Sequence, residues 1–311
     1  MIRYVFKRLV WGIPILIGVT LVTFLLFNYF AGNPVYQFLG KAASAADVAA
    51  LEHQYGLDKP LWLQYVDYLW QIVRFDFGRS FATKEPVGEL VWRAAGPSVS
   101  LTLPALLATT VLAVSVGMLA AYFRGRKTDR VLMFGAVLGM SVSFLVYIVV
   151  GQYLLAYRVP AFHIHGYEGG LMDRWEYLAL PILIIVVVGM GYDTRFYRAV
   201  FVEEVGRDHV RTARAKGASP ARVLFKHVLK NAMIPIITRV MISVPFLVTG
   251  SVLLESFFGI PGLGGTLLSA LNTADFPVIK AITVVISVAF ILSIILNDVL
   301  YAFVDPRVRL Q

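Results

Sequence analysis

Asp193 and Asp298 are carboxylates set inside long apolar runs, in "GMGYDTR" and "IILNDVL". Facing each other across a bundle, two such groups could share a proton and activate water for peptide hydrolysis. An intramembrane protease of that kind has a glycine-rich segment ahead of its second Asp, and here that segment is "IILND". The competing reading is that Asp193 and Arg195 end a span at the cytoplasmic interface and that Asp298 caps or pairs within the bundle. His163 and His165, in "AFHIHGYEGG", alternate, so on an extended segment they would point to one face and could share a metal. Glu168 is near, but no third ligand is evident, and a solvated loop with two unrelated His is the better account; no metal site is expected. The run "GIPGLGG" holds a G-x-G at Gly262 and Gly264. Outside a strand–helix unit a glycine pair says little about nucleotides, and a tight irregular turn at the external surface is expected instead. G-x-x-x-x-G-K-[ST] does not occur, so ATP hydrolysis is not expected of this chain. With no Cys, thiol nucleophiles and thiolate metal sites are excluded. Neither catalytic residues nor a cofactor is expected.

One stretch stands apart. "RTARAKGASPARVLFKHVLKN", Arg211 to Asn231, carries Arg211, Arg214, Lys216, Arg222, Lys226 and Lys230 and no acid, in a chain only 15% charged. The elements around it explain part of this. The 311 residues are 58% hydrophobic, with a mean hydropathy of +0.73. That exceeds what an ordinary soluble domain shows and points to lipid as the solvent. Charge-free windows run over Leu9–Gly40, Ala94–Phe123, Val131–Tyr157, Tyr177–Tyr192, Val240–Leu254 and Ala281–Asn297. A lone helix needs roughly 20 apolar residues to cross a bilayer. The fourth and fifth windows reach that if Asp193 and Arg239 face protein or snorkel. The expectation is an all-α membrane protein with six transmembrane helices. The N-terminal run is too long for a secretory signal and has no small-residue cleavage site, so it reads as an uncleaved first span.

Six spans put both termini on one side, and that side holds nineteen of the 28 Lys and Arg. The positive-inside bias then makes the N- and C-termini cytoplasmic, together with "RGRKTDR" and the basic stretch. A cationic juxtamembrane loop needs no partner to explain it. Because the cations follow membrane topology, a nucleic-acid partner is not expected.

The basic stretch nevertheless has internal order. Gly217 can end a helix in a left-handed conformation. Ser219 can cap the next helix, with Pro220 in its first turn. Beyond them Val223, Leu224, Val228 and Leu229 recur at helical spacing, with Arg222, Lys226 and Lys230 on another face. The expectation is a helix, a bend at 216–218 and an amphipathic helix, Pro220–Met233, entering the fifth span. Small residues at the bend (Ala213, Ala215, Gly217, Ala218) would let another protein approach closely.

"RTARAKGAS" followed by "HVLKNAMIP" resembles the cytoplasmic EAA loop of ABC importer permeases, and most closely the dipeptide/oligopeptide branch. Four further segments are similar to that family in order: "MIRYVFKRLVWGIPILIGVTLVTF", "GLDKPLWLQYVDYLWQIVRFDFGRSF", "ESFFGIPGLGGTLL" with "DFPVIKAITVV", and "DVLYAFVDPRVRL". The departure is greatest over Tyr157–Trp175. The resemblance implies a type I importer permease fold in a bacterial or archaeal cytoplasmic (inner) membrane. It implies a second homologous permease, two cytoplasmic ABC ATPase subunits and an extracytoplasmic solute-binding protein as partners, besides the bilayer. It also implies that the segment Arg211, Thr212, Ala213, Arg214, Ala215, Lys216, Gly217, Ala218, Ser219 docks on an ATPase. Gly217 matches the family's fixed glycine, and His209 stands where that branch commonly has Tyr or Phe. Glu255, Phe258, Pro261, Gly262 and Gly264 would form a loop near the external mouth. The implied cargo is di- or oligopeptide, with nickel chelates, glutathione, opines or oligosaccharides as alternatives. A stand-alone channel or secondary transporter would carry more ion-relay charge within its spans. The expected organisation is residues 1–30 as the N-terminal segment and first span, 31–98 as an external loop with interfacial helices, and 99–311 as a five-helix permease core containing the coupling loop at about 199–233. In the external loop, Ser44 can cap a short helix through Gln54, and the aromatic run after it suits an outer interfacial helix or a docking surface for the delivery protein.

Overall fold

The computed structural model describes residues 2–30, 44–56, 58–168 and 174–304. The distal part of the first window (31–40), residues 169–173 of the divergent region and the terminal "DPRVRL" with Arg307 and Arg309 lie outside the described residues. Among the described residues every regular element is helical: α1 (Ile2–Phe30), α2 (Ala45–Tyr55), α3 (Leu61–Arg74), α4 (Val87–Tyr122), α5 (Lys127–Ser141), α6 (Phe144–Gly151), α7 (Arg174–Val205), α8 (Asp208–Ala215), α9 (Pro220–Arg222), α10 (Lys230–Thr249), α11 (Val252–Phe258), α12 (Leu263–Asn272) and α13 (Phe276–Val304). Wider π-turns continue α6 over Gln152–Arg158 and join α9 to α10 over Val223–Leu229.

Among the described residues five stretches are long and apolar enough to cross a membrane: Phe6–Phe27, Val87–Tyr122, Arg174–Val205, Pro220–Leu247 and Phe276–Tyr301. Two bent pairs, α5 with α6 (90°) and α11 with α12 (89°), raise the number to seven if each counts as one span. The third window, Val131–Tyr157, is therefore not one straight rod. Val142 and Ser143 are extended between α5 and α6. The Tyr147 hydroxyl donates to the carbonyl of Gly139 at 2.8 Å, supplying a partner to backbone near the break, as a broken helix in lipid requires. The fifth window also ends early. The helix stops at Thr249, Gly250 takes φ +65°, and α11 begins at Val252.

The chain divides into two compact units. The first comprises Met1–Val99, Val248–Ser256 and Pro261–Ile295. Its core sets Phe81, Val87 and Val91 against Leu263, Ala270, Phe276 and Ile282. A second cluster joins Phe24 of α1, Tyr68 and Ile72 of α3, and Val284 of α13. Asp275, buried between α12 and α13, accepts from the Ser80 hydroxyl and from the amides of Phe81 (3.0 Å) and Ala82 (3.1 Å). It ties the 79–86 hairpin to the α12–α13 turn.

The second unit comprises Ser100–Leu247, Phe257–Ile260 and Leu296–Gln311. Buried Asp129, the one acid in "RGRKTDR", forms a bidentate pair with Arg198 of α7 (2.6 and 2.7 Å) and accepts from Gly125 N (2.9 Å). The basic turn before α5 is thereby fixed to α7. Arg239 of α10 donates to Asp193 of α7 at 2.8 Å.

Candidate functional site

The basic stretch folds into a packed elbow. α8 ends with two capping hydrogen bonds, Gly217 N to Arg214 O (2.9 Å) and Ala218 N to Ala213 O (3.1 Å). This doubly bonded terminus needs a left-handed residue, and Gly217 supplies φ +78°. Nothing lies within 4 Å of where a Cβ on Gly217 would sit, so backbone conformation alone demands the glycine. Ser219 then caps the next helix, its hydroxyl accepting from Arg222 N at 3.4 Å, with Pro220 in the first turn. The expected helix, bend and helix are all present.

The elbow is fastened from below. Val210 and Ala213 of α8 and Val223 and Val228 after the bend are buried with Tyr197 and Phe201 of α7, Ala113 and Ala121 of α4, and Ala232 and Ile236 of α10. Of the expected amphipathic face, Val223 and Val228 are buried, and Leu224 and Leu229 are half-buried. Arg211, Thr212, Arg214, Ala215, Lys216, Gly217 and Ser219 all face outward, Ala213 faces inward, and Ala218 is half-buried. Arg211, Arg214 and Lys216 thus flank a bend with little side-chain bulk, on a base packed against α4, α7 and α10.

Beside the elbow is a cavity of about 880 Å³, lined among others by Glu203, Glu204, Arg207, His209, Lys226, Lys230 and Asn231. Buried Glu204 is met by Arg207 Nε and by His209 Nε2, each at 3.1 Å. Asn231 Nδ2 lies 2.9 Å from the same His209 nitrogen. The Glu203 carboxylate, hydrogen-bonded at 2.9 Å, holds the exposed Arg207 guanidinium above its ordinary pKa.

The second sequence-selected loop is built on the opposite principle. Glu255, in the first turn of α11, is buried. Its Oε1 accepts from the Ser98 hydroxyl (2.7 Å) and its Oε2 from Gly265 N (2.8 Å). Ser98 Oγ in turn accepts from Leu263 N at 2.7 Å. A Cβ on Gly250 or Gly262 would strike this carboxylate; one on Gly264 would stand 2.8 Å from Val252 N and 3.0 Å from Oε2. The glycines of "GIPGLGG" seat an internal carboxylate at the start of α12, where the helix N-terminus favours negative charge. Glu255, Gly262 and Gly264 thus come together, while Pro261 is exposed. Phe258 is buried, and its carbonyl accepts from Gly166 N at 2.8 Å.

Two of the remaining candidates have clear partners. Asp193 is engaged by Arg239, which accounts for both charges beside the apolar windows. His163 packs on the Tyr177 ring at 4.5 Å. Among the described residues no three His, Asp or Glu group as a metal site. The Asp129–Arg198 pair, Ser98 and Asp275 escaped sequence reasoning. Only Asp129 left a signal, as a lone acid among four cations.

Two families match the chain. One, described as the binding-protein-dependent transport system inner membrane component, covers residues 113–310. The other, the N-terminal part of binding-protein-dependent transport system membrane components, covers residues 1–102. The dipeptide transport system permease protein DppB of Alkalihalophilus pseudofirmus is 32% identical over 99% of this chain and 100% of its own length. The glutathione transport system permease proteins GsiC of Salmonella typhi and Escherichia coli (strain K12) are each 35% identical over 99% of both chains.

Proposed function

This chain belongs to the family of binding-protein-dependent transport system inner membrane components, and from that membership we propose that it couples ATP hydrolysis in a neighbouring subunit to peptide movement through its elbow. It is a non-catalytic, multi-pass permease component of an ABC importer. The finer reading is six spans, with α5–α6 as one bent span and α11–α12 as a re-entrant pair, and both termini in the cytoplasm. Pairing with a second permease would complete the pathway. Relatives named for dipeptide and glutathione transport support short peptides as cargo, delivered by a solute-binding protein.

The observation that carries this reading is the elbow's combination of an outward, cationic, low-bulk bend with an underside fixed into α4, α7 and α10. A solvated loop needs no such foundation. Two ATPase subunits are the proposed motor, one gripping Arg211–Ser219 of this chain. Their closure would displace the bend as a solid lever. Val210, Ala213, Val223 and Val228 would hand that displacement to α7 and α10, switching a bistable bundle between inward and outward openings. The loop around Glu255 is proposed to lie near the external mouth, where its internal latch would keep α11 and α12 together as they move.

The test uses the absence of native Cys. In an Ala215→Cys permease the single thiol should cross-link to the ATPase subunit and should react with a membrane-impermeant reagent only in inverted vesicles. Arg214→Glu with Lys216→Glu should abolish uptake while leaving the permease folded. Labelling from outside intact cells, or undiminished uptake in the charge-reversed protein, would overturn the assignment.

A further inference from the structure

Lys280 enters α13 one turn from its start, in the first unit. Its Nζ lies over the rings of Tyr68 (5.1 Å) and Phe24 (5.4 Å). Among the described residues it has no carboxylate and no hydrogen-bond acceptor. Two rings return only part of what a half-buried ammonium loses on leaving water, so the cation here is left without an anionic partner.

The ammonium faces a cavity of about 770 Å³ whose wall includes Lys59, Arg79, Lys84 and Trp70. Asp67 is the acid on that wall, and Lys59 holds it at 2.6 Å. Arg79 donates to the Lys84 carbonyl and has no carboxylate partner among the described residues. The wall therefore carries surplus positive charge around the lysine.

The helix beside the cavity is apolar on two sides. Tyr68 and Ile72 of α3 are buried against α1 and α13. Trp62, Val66, Trp70 and Val73, spaced three or four apart, form a second stripe, each more than half exposed. Trp70 belongs both to this stripe and to the cavity wall. Aromatic residues beside cations at the ends of apolar spans suit the headgroup level of a bilayer.

We infer that this cavity is a site for one anionic phospholipid, its phosphate held by Lys280 and Arg79 and an acyl chain lying along the Trp62–Val66–Trp70–Val73 stripe. A phosphate matches the surplus charge and the absent acceptor together. The attached chain accounts for an apolar stripe that a soluble anion would leave bare. The site is separate from the elbow and does not depend on the ATPase-docking reading.

Native mass spectrometry of the full-length protein, released from nanodiscs of equimolar phosphatidylglycerol and phosphatidylcholine, tests it. The wild-type protein should retain one phosphatidylglycerol in preference to phosphatidylcholine. Lys280→Met and Arg79→Gln should each reduce that preference by about fivefold, the effect of removing one cation next to an anionic lipid. Lys280→Arg should keep it, as should Arg126→Gln, which removes an equal charge elsewhere. Phosphatidylglycerol with brominated acyl chains should quench a component of tryptophan emission that disappears in Trp62→Phe/Trp70→Phe. Equal retention of both lipids, or a preference indifferent to Lys280 and Arg79, would sink the site. Displacement of the lipid by inorganic phosphate without loss of quenching would show that the stripe and the phosphate site are unrelated. Absence of quenching would give the stripe to a protein partner instead.

Discussion

The elbow at 207–220 and the turn at 250–265 both reverse the chain, both depend on glycine, and both stood out in the sequence, yet they are held by opposite means. The elbow is apolar underneath and charged outside. Its glycine is needed for a left-handed backbone in open space. The turn is polar inside: a buried carboxylate organises it, and two of its glycines are needed because a methyl group has nowhere to go. On the proposed reading, the elbow offers its outward cations to a partner and draws its support from the apolar packing beneath. A region that packs on itself can spend its polar groups on its own backbone.

The comparison is broken most readily at Glu255. Glu255→Ala leaves the Ser98 hydroxyl and the Gly265 amide without their acceptor and opens a void, and should cost about 3 kcal/mol, read as a lowered unfolding midpoint in nanodiscs. Gly262→Ala should cost about 2 kcal/mol by overpacking. That penalty should largely vanish in a Glu255→Ala background, because the clash is with the carboxylate itself. A double-mutant cycle showing simple additivity would refute the cradle.

Val210→Ala, at the foot of the elbow, should lose about 1.5 kcal/mol of buried apolar contact. It should also raise ATP consumed per peptide imported, measured in proteoliposomes with the ATPase subunits present. Gly217→Ala should cost only about 1 kcal/mol, the strain of a left-handed alanine, and Gly217→Asn less. The smallest effect on stability, below about 0.5 kcal/mol, is expected for Arg211→Glu with Arg214→Glu. Import should nonetheless collapse in that protein, which separates a surface built for contact from one built for folding.

Local features were legible without coordinates. Gly217, Ser219 and Pro220 specify a stop and a start through dihedral preference and a single side-chain bond, which neighbours three residues away suffice to decide. Apolar windows marked segments fit for lipid because burying uncompensated charge there is costly wherever it occurs, although two of the six windows, the third and the fifth, are broken or cut short. Positive φ at Gly217 and the burial of Val223 and Val228 follow from the same short-range rules.

What remained hidden involved groups far apart in the chain. The break at Val142–Ser143 has no proline or glycine to signal it, and hydropathy is blind to direction. Glu255 with Ser98, Asp275 with Ser80, Asp129 with Arg198 and Lys280 over Phe24 join positions 69 to 256 residues apart. Sequence determined which segments are apolar enough for lipid and where the basic elbow turns, because those properties belong to each segment's own residues. Which carboxylate meets which donor was left to the tertiary structure, because a hydrogen bond is decided within about 3 Å and only the packed helices set that distance.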